Sequence, residues 1–93
     1  MKSKIEEMKE LYPIGSIIEG EVYMLVPFGI FLKIDHPTFM GLIEIIDIKD
    51  KQELFDYSSF PPIASKIKGR VMGYQPDNNQ IYLSVKPSIM EDN

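Results

Sequence analysis

One stretch of the chain decides the fold: Gly15-Ser-Ile-Ile-Glu-Gly-Glu-Val-Tyr-Met-Leu-Val-Pro-Phe-Gly-Ile-Phe-Leu-Lys-Ile34. Residues 16–26 are mostly branched or aromatic, with glutamates on one side, a pattern typical of a half-buried strand. Pro27 ends that strand because it has no amide hydrogen to donate, and a second apolar run begins at Phe28. The stretch therefore predicts a β-hairpin made of residues 16–26 and 28–34.

Three more strands are predicted downstream, at residues 39–46, 66–72 and 80–85, each bounded by turn-forming residues. Upstream, residues 2–11 carry apolar side chains at helical spacing before Pro13, which predicts one short amphipathic helix. The order of elements predicts an all-β protein, a five-stranded OB-fold β-barrel with a short N-terminal helix.

The predicted boundaries divide the chain into three parts. Residues 1–13 form the helix packed on the barrel, residues 14–86 form the barrel domain, and residues 87–93 form a C-terminal tail. A long connection between strands three and four is expected to contain a helical turn at residues 52–55.

Composition narrows the possible functions. The chain has 93 residues, of which 44% are hydrophobic and 26% charged, and it has no cysteine, so disulfides and thiolate metal sites are excluded. The longest apolar run is interrupted by Pro27 and Gly29 and is too short to span a membrane, and the charged N-terminus lacks a secretory signal, so a cytoplasmic location is expected. The net charge of −4 has the wrong sign for a protein held by phosphates alone.

Four motifs occur in a fixed order: the glycine spacing of residues 15–20, Phe28-Gly-Ile-Phe31, Gly41-Leu-Ile43 and Ile81-Tyr-Leu-Ser-Val-Lys86. Together they resemble the S1-type RNA-binding domain found in ribosomal protein S1 and several ribonucleases. The resemblance covers residues 14–86. It implies an OB barrel that binds single-stranded RNA on the face of its second and third strands.

The resemblance also implies roles for single residues. Phe28 and Phe31 match the paired aromatics that present their rings to bases, although Phe is by itself more often a core residue. Three positions depart from the family pattern, where a histidine, a serine and a basic residue are common. They are occupied here by Glu44, Ile46 and Gln80.

Basic side chains are expected to attract the RNA backbone. Lys66, Lys68 and Arg70 alternate along the fourth predicted strand and would share one face, with Lys33 nearby. The plain alternative is a solvated strand face, since alternating lysines also protect sheets against association.

Glu44 opposes this interpretation, because a carboxylate on the binding face repels phosphate. It is either a solvent-facing strand residue or an acceptor for a base amine such as that of cytosine.

No catalytic group is predicted. The single histidine, His36, lies in a turn without metal-ligand partners at the usual spacing, and no cofactor or metal is implied. The sequence therefore predicts a non-catalytic module that binds single-stranded RNA weakly. The rival hypothesis is a protein-binding module whose acidic first half, with Glu44, Ile45 and Ile46, engages a basic protein partner.

Overall fold

The computed structural model describes residues 1–49 and 60–91, which form a closed five-stranded barrel with a helix at its N-terminus. The predicted OB-fold barrel is confirmed. The helical turn expected at residues 52–55 lies outside the described residues. The elements are α1 (Lys4–Leu11), β1 (Ile17–Val26), β2 (Gly29–Lys33), β3 (Met40–Glu44), β4 (Lys66–Gln75), β5 (Gln80–Ser84) and α2 (Pro87–Met90).

The strands follow each other around the barrel in the order β1-β2-β3-β5-β4, and β4 pairs with β1 to close it. All neighbours are antiparallel except β3 and β5, which are parallel. A bulge between Val22 and Met24 shifts the register of β1 against β2. Bulges of this kind bend a strand, which helps a small sheet to curl and close.

The core is built from the inward-facing half of each strand, as the alternation of strand side chains requires. Its fully buried side chains come from every strand and from α1. They are Met8, Val22, Ile30, Leu32, Ile43, Val71, Ile81 and Leu83. The residues between them on each strand point out of the barrel and form its outer surface.

Helix α1 begins with a capping box, in which the Ser3 hydroxyl accepts from the Glu6 amide and the Glu6 carboxylate accepts from the Ser3 amide. It is fixed to the barrel by the buried Met8 and by Tyr12, whose hydroxyl donates to the Asp35 carbonyl at 3.2 Å. Burial raises the pKa of Tyr12, and the negative charges of Asp35 and Glu7 raise it further. The predicted N-terminal helix is thus packed on the barrel.

Two strands end more than one residue away from the predicted position. The third ends at Glu44 rather than at residue 46, because the Ile48 amide donates to the Ile45 carbonyl and closes a 3-10 turn. The fourth continues to Gln75 rather than ending at residue 72, because a bulge after Val71 restores its pairing with β5. None of the described helices is long and apolar enough to cross a membrane.

Candidate functional site

One part of the outer surface is apolar, and it lies over β2 and β3. Phe31 on β2 pairs with Leu42 on β3 and with Met24 on β1, and directly paired residues project to the same side of a sheet. Met40 lies two residues from Leu42 on the same side, opposite Lys33. Together with Phe28, the residue before β2, these side chains form what we call the apolar face. Its members are Met24, Phe28, Phe31, Met40 and Leu42.

Two rings dominate the apolar face. Phe28 and Phe31 meet edge to face, with centroids 5.9 Å apart and planes at 88°. Phe28 is 54% exposed, whereas Leu42 is only 4% exposed although it points away from the core. The ring pair therefore stands on a covered apolar base, and the Phe28 ring is open to solvent. A flat, exposed aromatic ring is a surface on which a base can stack.

The apolar face continues at one end into a cleft of about 250 Å³, lined by Tyr23, Lys33, Met40 and the turn around His36. At this end Lys33 offers a cation beside apolar side chains. Tyr23, which is exposed, also lines the cleft. The predicted cation Lys33 is thus brought next to the predicted aromatic pair.

His36 builds the wall of this cleft. Its Nδ1 accepts the amides of Thr38 and Phe39 at 3.0 Å each, which leaves Nε2 to donate to Glu7 Oε2 at 3.2 Å. The imidazole ring also stacks on Phe39, with centroids 3.9 Å apart. Both ring nitrogens have partners within the protein, so His36 serves the loop structure, in agreement with its interpretation from the sequence.

The predicted basic residues of β4 occupy a different part of the outer surface. Across the β1–β4 pairing, Lys66 lies opposite Glu21 and Lys68 opposite Glu19. Glu21 also lies opposite Lys33 on the β1–β2 side. We call Glu19, Glu21, Lys66 and Lys68 the charge-paired band. Because each lysine has a carboxylate as its cross-strand neighbour, the band offers little net positive potential to a phosphate.

Arg70 is placed in the structure differently from the two lysines. Its Nη1 donates to the Gly15 carbonyl, and its Nε donates to the Ile89 carbonyl at 2.9 Å. The half-buried guanidinium therefore ties the start of β1 and the C-terminal α2 to β4. These contacts give Arg70 a structural role, and its predicted contact with RNA stays a prediction.

Glu44 is the last residue of β3, and its side chain lies on the same side as the apolar face. It pairs with Gly29, which has no side chain to cover it. The strands approach so closely here that a Cβ on Gly29 would clash with the Ile43 carbonyl oxygen and lie 3.1 Å from the Glu44 Cα. The structure therefore brings Glu44 to the edge of the ring pair.

Sequence reasoning missed part of this site. Met24, Met40, Leu42 and Tyr82 have no functional role in the sequence-based prediction. Tyr82 pairs with Leu42 across the parallel β3–β5 contact and so borders the apolar face. A period-two pattern indicates which residues share a face, but it does not indicate which strands are neighbours. The signal that was available is the third strand itself, whose outward residues include Met40 and Leu42.

Comparison with curated proteins agrees with the fold. The chain is 30% identical over 83 residues to small ribosomal subunit protein bS1 from Chlamydia muridarum, which covers 87% of this chain and 14% of that protein. It is also 29% identical over 79 residues to 4-hydroxy-3-methylbut-2-enyl diphosphate reductase from Clostridium acetobutylicum, covering 85% of this chain and 12% of the reductase. The chain thus spans only a small part of either relative. No family model matches it.

Solved structures share the architecture. GSP13 from Bacillus subtilis superimposes with a TM-score of 0.70 at 20% identity, over 86% of this chain and 60% of that one. RNase R from Mycoplasma genitalium, solved with ribose-methylated single-stranded RNA, gives a TM-score of 0.62 at 20% identity, over 84% of this chain and 13% of that one. The barrel, its strand order and these similarities define an OB-fold domain. Within that class, the chain is an S1-type domain.

Proposed function

We propose that this chain is a non-catalytic module that binds single-stranded RNA weakly by stacking bases on the apolar face. The observation that carries the proposal is the Phe28–Phe31 ring pair on the outer surface, in which Phe28 is exposed and Phe31 is half-buried. The similarity to ribosomal protein bS1, and the fold shared with an RNase R solved with single-stranded RNA, support it.

The expected affinity for RNA depends on how many aromatic rings and lysine side chains the site offers. Stacking of a base on an aromatic ring contributes about 1–3 kcal/mol, so two rings with modest help from Lys33 give roughly micromolar affinity at best. Because the lysines of the charge-paired band face carboxylates, few phosphates are neutralised. The affinity should therefore fall with salt along a shallow slope.

The test is a fluorescence-anisotropy titration of a short mixed-sequence single-stranded RNA, at low and near-physiological salt. Wild type is compared with the double variant Phe28→Ala/Phe31→Ala, which should lose at least about 30-fold in affinity because both stacking surfaces are removed. Ile14→Ala is the matched control. Ile14 is 59% exposed and lies outside the apolar face, so its removal should leave affinity unchanged.

Unfolding in urea is followed for each variant, so that a loss of affinity can be separated from a loss of fold. If the folded double variant binds as well as wild type, the apolar face is not the RNA site. If wild type binds no RNA even at low salt, RNA binding by this chain is overturned.

One observation favours a second function. Ile46 follows Glu44 by two residues and is 55% exposed, so an exposed apolar side chain and a carboxylate occur close together in the chain at the end of β3. Such a combination suits a basic, partly apolar protein segment, because acidic surfaces accelerate docking onto basic ones. This alternative would be favoured if the wild type binds no RNA and instead binds a basic protein partner. Binding of that partner should depend on Glu44 and Ile46.

A further inference from the structure

Glu44 lies on the outer surface, and its cross-strand partner has no side chain. Across the β2–β3 pairing its neighbour is Gly29, so the only side chain at this cross-strand position is the glutamate itself. The close approach of the strands excludes any larger residue at position 29. Position 29 therefore carries no side chain that could cover the Glu44 carboxylate.

The aromatic pair lies beside Glu44 on the same side of the sheet. Phe28 precedes Gly29 in the chain, and Phe31 belongs to the next outward-facing pair, opposite Leu42. A base stacked on one of these rings would lie over the same side of the sheet as Glu44, one cross-strand pair away. An edge of that base is the part that carries hydrogen-bond donors for the carboxylate.

The Glu44 carboxylate makes no hydrogen bond or ion pair with the part of the protein described here, residues 1–49 and 60–91. The lysines on the outer surface have other carboxylates as cross-strand neighbours, with Glu21 opposite both Lys33 and Lys66. An ionised carboxylate accepts hydrogen bonds and donates none, and both of its oxygens can accept at once. This carboxylate is therefore an acceptor to which residues 1–49 and 60–91 supply no donor.

The four RNA bases differ in what they offer such an acceptor. The Watson–Crick edge of guanine presents two adjacent donors, N1–H and the N2 amino group, which match the two carboxylate oxygens. Cytosine and adenine offer one amino group beside an acceptor nitrogen, and uracil offers one N–H between two carbonyls that repel a carboxylate. In single-stranded RNA these edges are free to be read.

We propose that Glu44 makes the apolar face selective for guanine, by accepting a bidentate pair of hydrogen bonds from a guanine stacked on the Phe28–Phe31 pair. This inference rests on the proposed RNA-binding function. It gives the carboxylate, which repels phosphate, a favourable contact with a base. The acidic group at this position then determines which base is bound, and it does not determine the path of the RNA backbone.

The experiment uses short labelled oligouridines that differ at one internal position, which carries guanosine, inosine, adenosine, cytidine or uridine. Inosine keeps N1–H but lacks the N2 amino group, so it removes one of the two donors and leaves the stacking surface almost unchanged. A single guanosine also avoids quadruplex formation. Wild type should bind the guanosine oligonucleotide about tenfold more tightly than the inosine one, since a bidentate contact discriminates by about that factor or more.

Glu44→Gln retains the shape of the side chain but replaces one acceptor by a donor, so the guanosine-to-inosine ratio should fall to near one. Glu21→Gln is the matched control, because it removes the same charge from the outer surface at a position opposite Lys33 and Lys66. It should change overall affinity and leave the ratio at about ten.

The outcomes separate this inference from the function on which it rests. Equal wild-type affinity for all five oligonucleotides, lost in Phe28→Ala/Phe31→Ala, would overturn guanine selection and retain RNA binding. A preference for cytidine or adenosine, or a guanosine preference that survives Glu44→Gln, would also overturn it. Absence of any binding would overturn the proposed function itself.

Discussion

The apolar face and the charge-paired band are neighbours on the same barrel, yet they differ in the cross-strand partners of their side chains. In the charge-paired band each lysine has a carboxylate across the strand boundary, as with Lys68 and Glu19. On the apolar face the Phe28 ring is exposed, and Glu44 faces a glycine. Residue type alone therefore does not identify a binding surface. The side chain on the adjacent strand decides whether a charge or a ring is still available to a ligand.

The largest expected effect concerns the close approach of strands beneath Glu44. Gly29→Ala would place a Cβ against the Ile43 carbonyl oxygen, and the strands must separate to admit it. We expect a loss of about 3 kcal/mol or more in the free energy of unfolding, measured by urea denaturation. Gly73→Ala is the control, because its Cβ would meet only Tyr82 Cδ2, at an ordinary 3.8 Å. Equal stability of both variants would show that the β2–β3 contact is not tight.

The next prediction compares the contribution to stability of the arginine of β4 with that of one of its lysines. Arg70→Gln removes charged donors from the Gly15 and Ile89 carbonyls, and it should cost about 2 kcal/mol of folding free energy. Lys68→Gln changes the same charge at an exposed position and should cost less than about 0.5 kcal/mol. Thermal unfolding of both variants gives the comparison. If Arg70→Gln is as stable as Lys68→Gln, the bonds of the guanidinium to the Gly15 and Ile89 carbonyls do not stabilise the fold.

A smaller effect tests whether the charge-paired band can be converted into a binding surface. Glu19→Gln/Glu21→Gln removes the carboxylates opposite Lys66 and Lys68 and so unmasks both cations. RNA affinity at low salt should rise about threefold to tenfold. The slope of log affinity against log salt should steepen by about 0.7 for each phosphate newly contacted. An unchanged slope would mean that bound RNA does not reach this part of the barrel.

The smallest effect is expected at Tyr12, a core residue that belongs to neither of the two surfaces. Burial first, and then Asp35 and Glu7, raise the pKa of Tyr12, so the folded protein holds the phenol proton more tightly than the unfolded chain does. This contribution to stability is complete below about pH 10 and is lost as the pH rises through the raised value. Tyr12→Phe should therefore show a flatter decline of unfolding free energy above pH 10 than wild type. An equally steep decline in Tyr12→Phe and wild type would contradict the raised pKa of Tyr12.

The sequence was sufficient for the strands and for the hairpin, because branched residues bounded by proline and glycine report local structure directly. The end of β3 was misplaced since Ile45 and Ile46 have strand-forming side chains, whereas a backbone hydrogen bond turns the chain there. Phe28 and Phe31 were identified as candidates because they match the paired aromatics of the S1-type motif, and Lys33 because it is a basic residue expected near those of the fourth strand.

The remaining parts of the site depend on contacts between distant residues. Arg70 bonds to Gly15, which is 55 positions away, and Tyr82 reaches the apolar face only through the parallel contact with β3. Likewise, the glutamates opposite Lys66 and Lys68 lie on the first strand. Spacing along one strand cannot reveal which charges face it from another.

The parallel pairing of β3 with β5 has a consequence for how the protein folds. Met40 and Gln80 are partners although about 40 positions separate them, so their contact requires a large loop to close before any pairing energy is gained. The β1–β2 hairpin, in contrast, joins residues that are adjacent in the chain. We expect the hairpin to be formed in the folding transition state and β5 to dock after it, so that substitutions in β5 mainly accelerate unfolding.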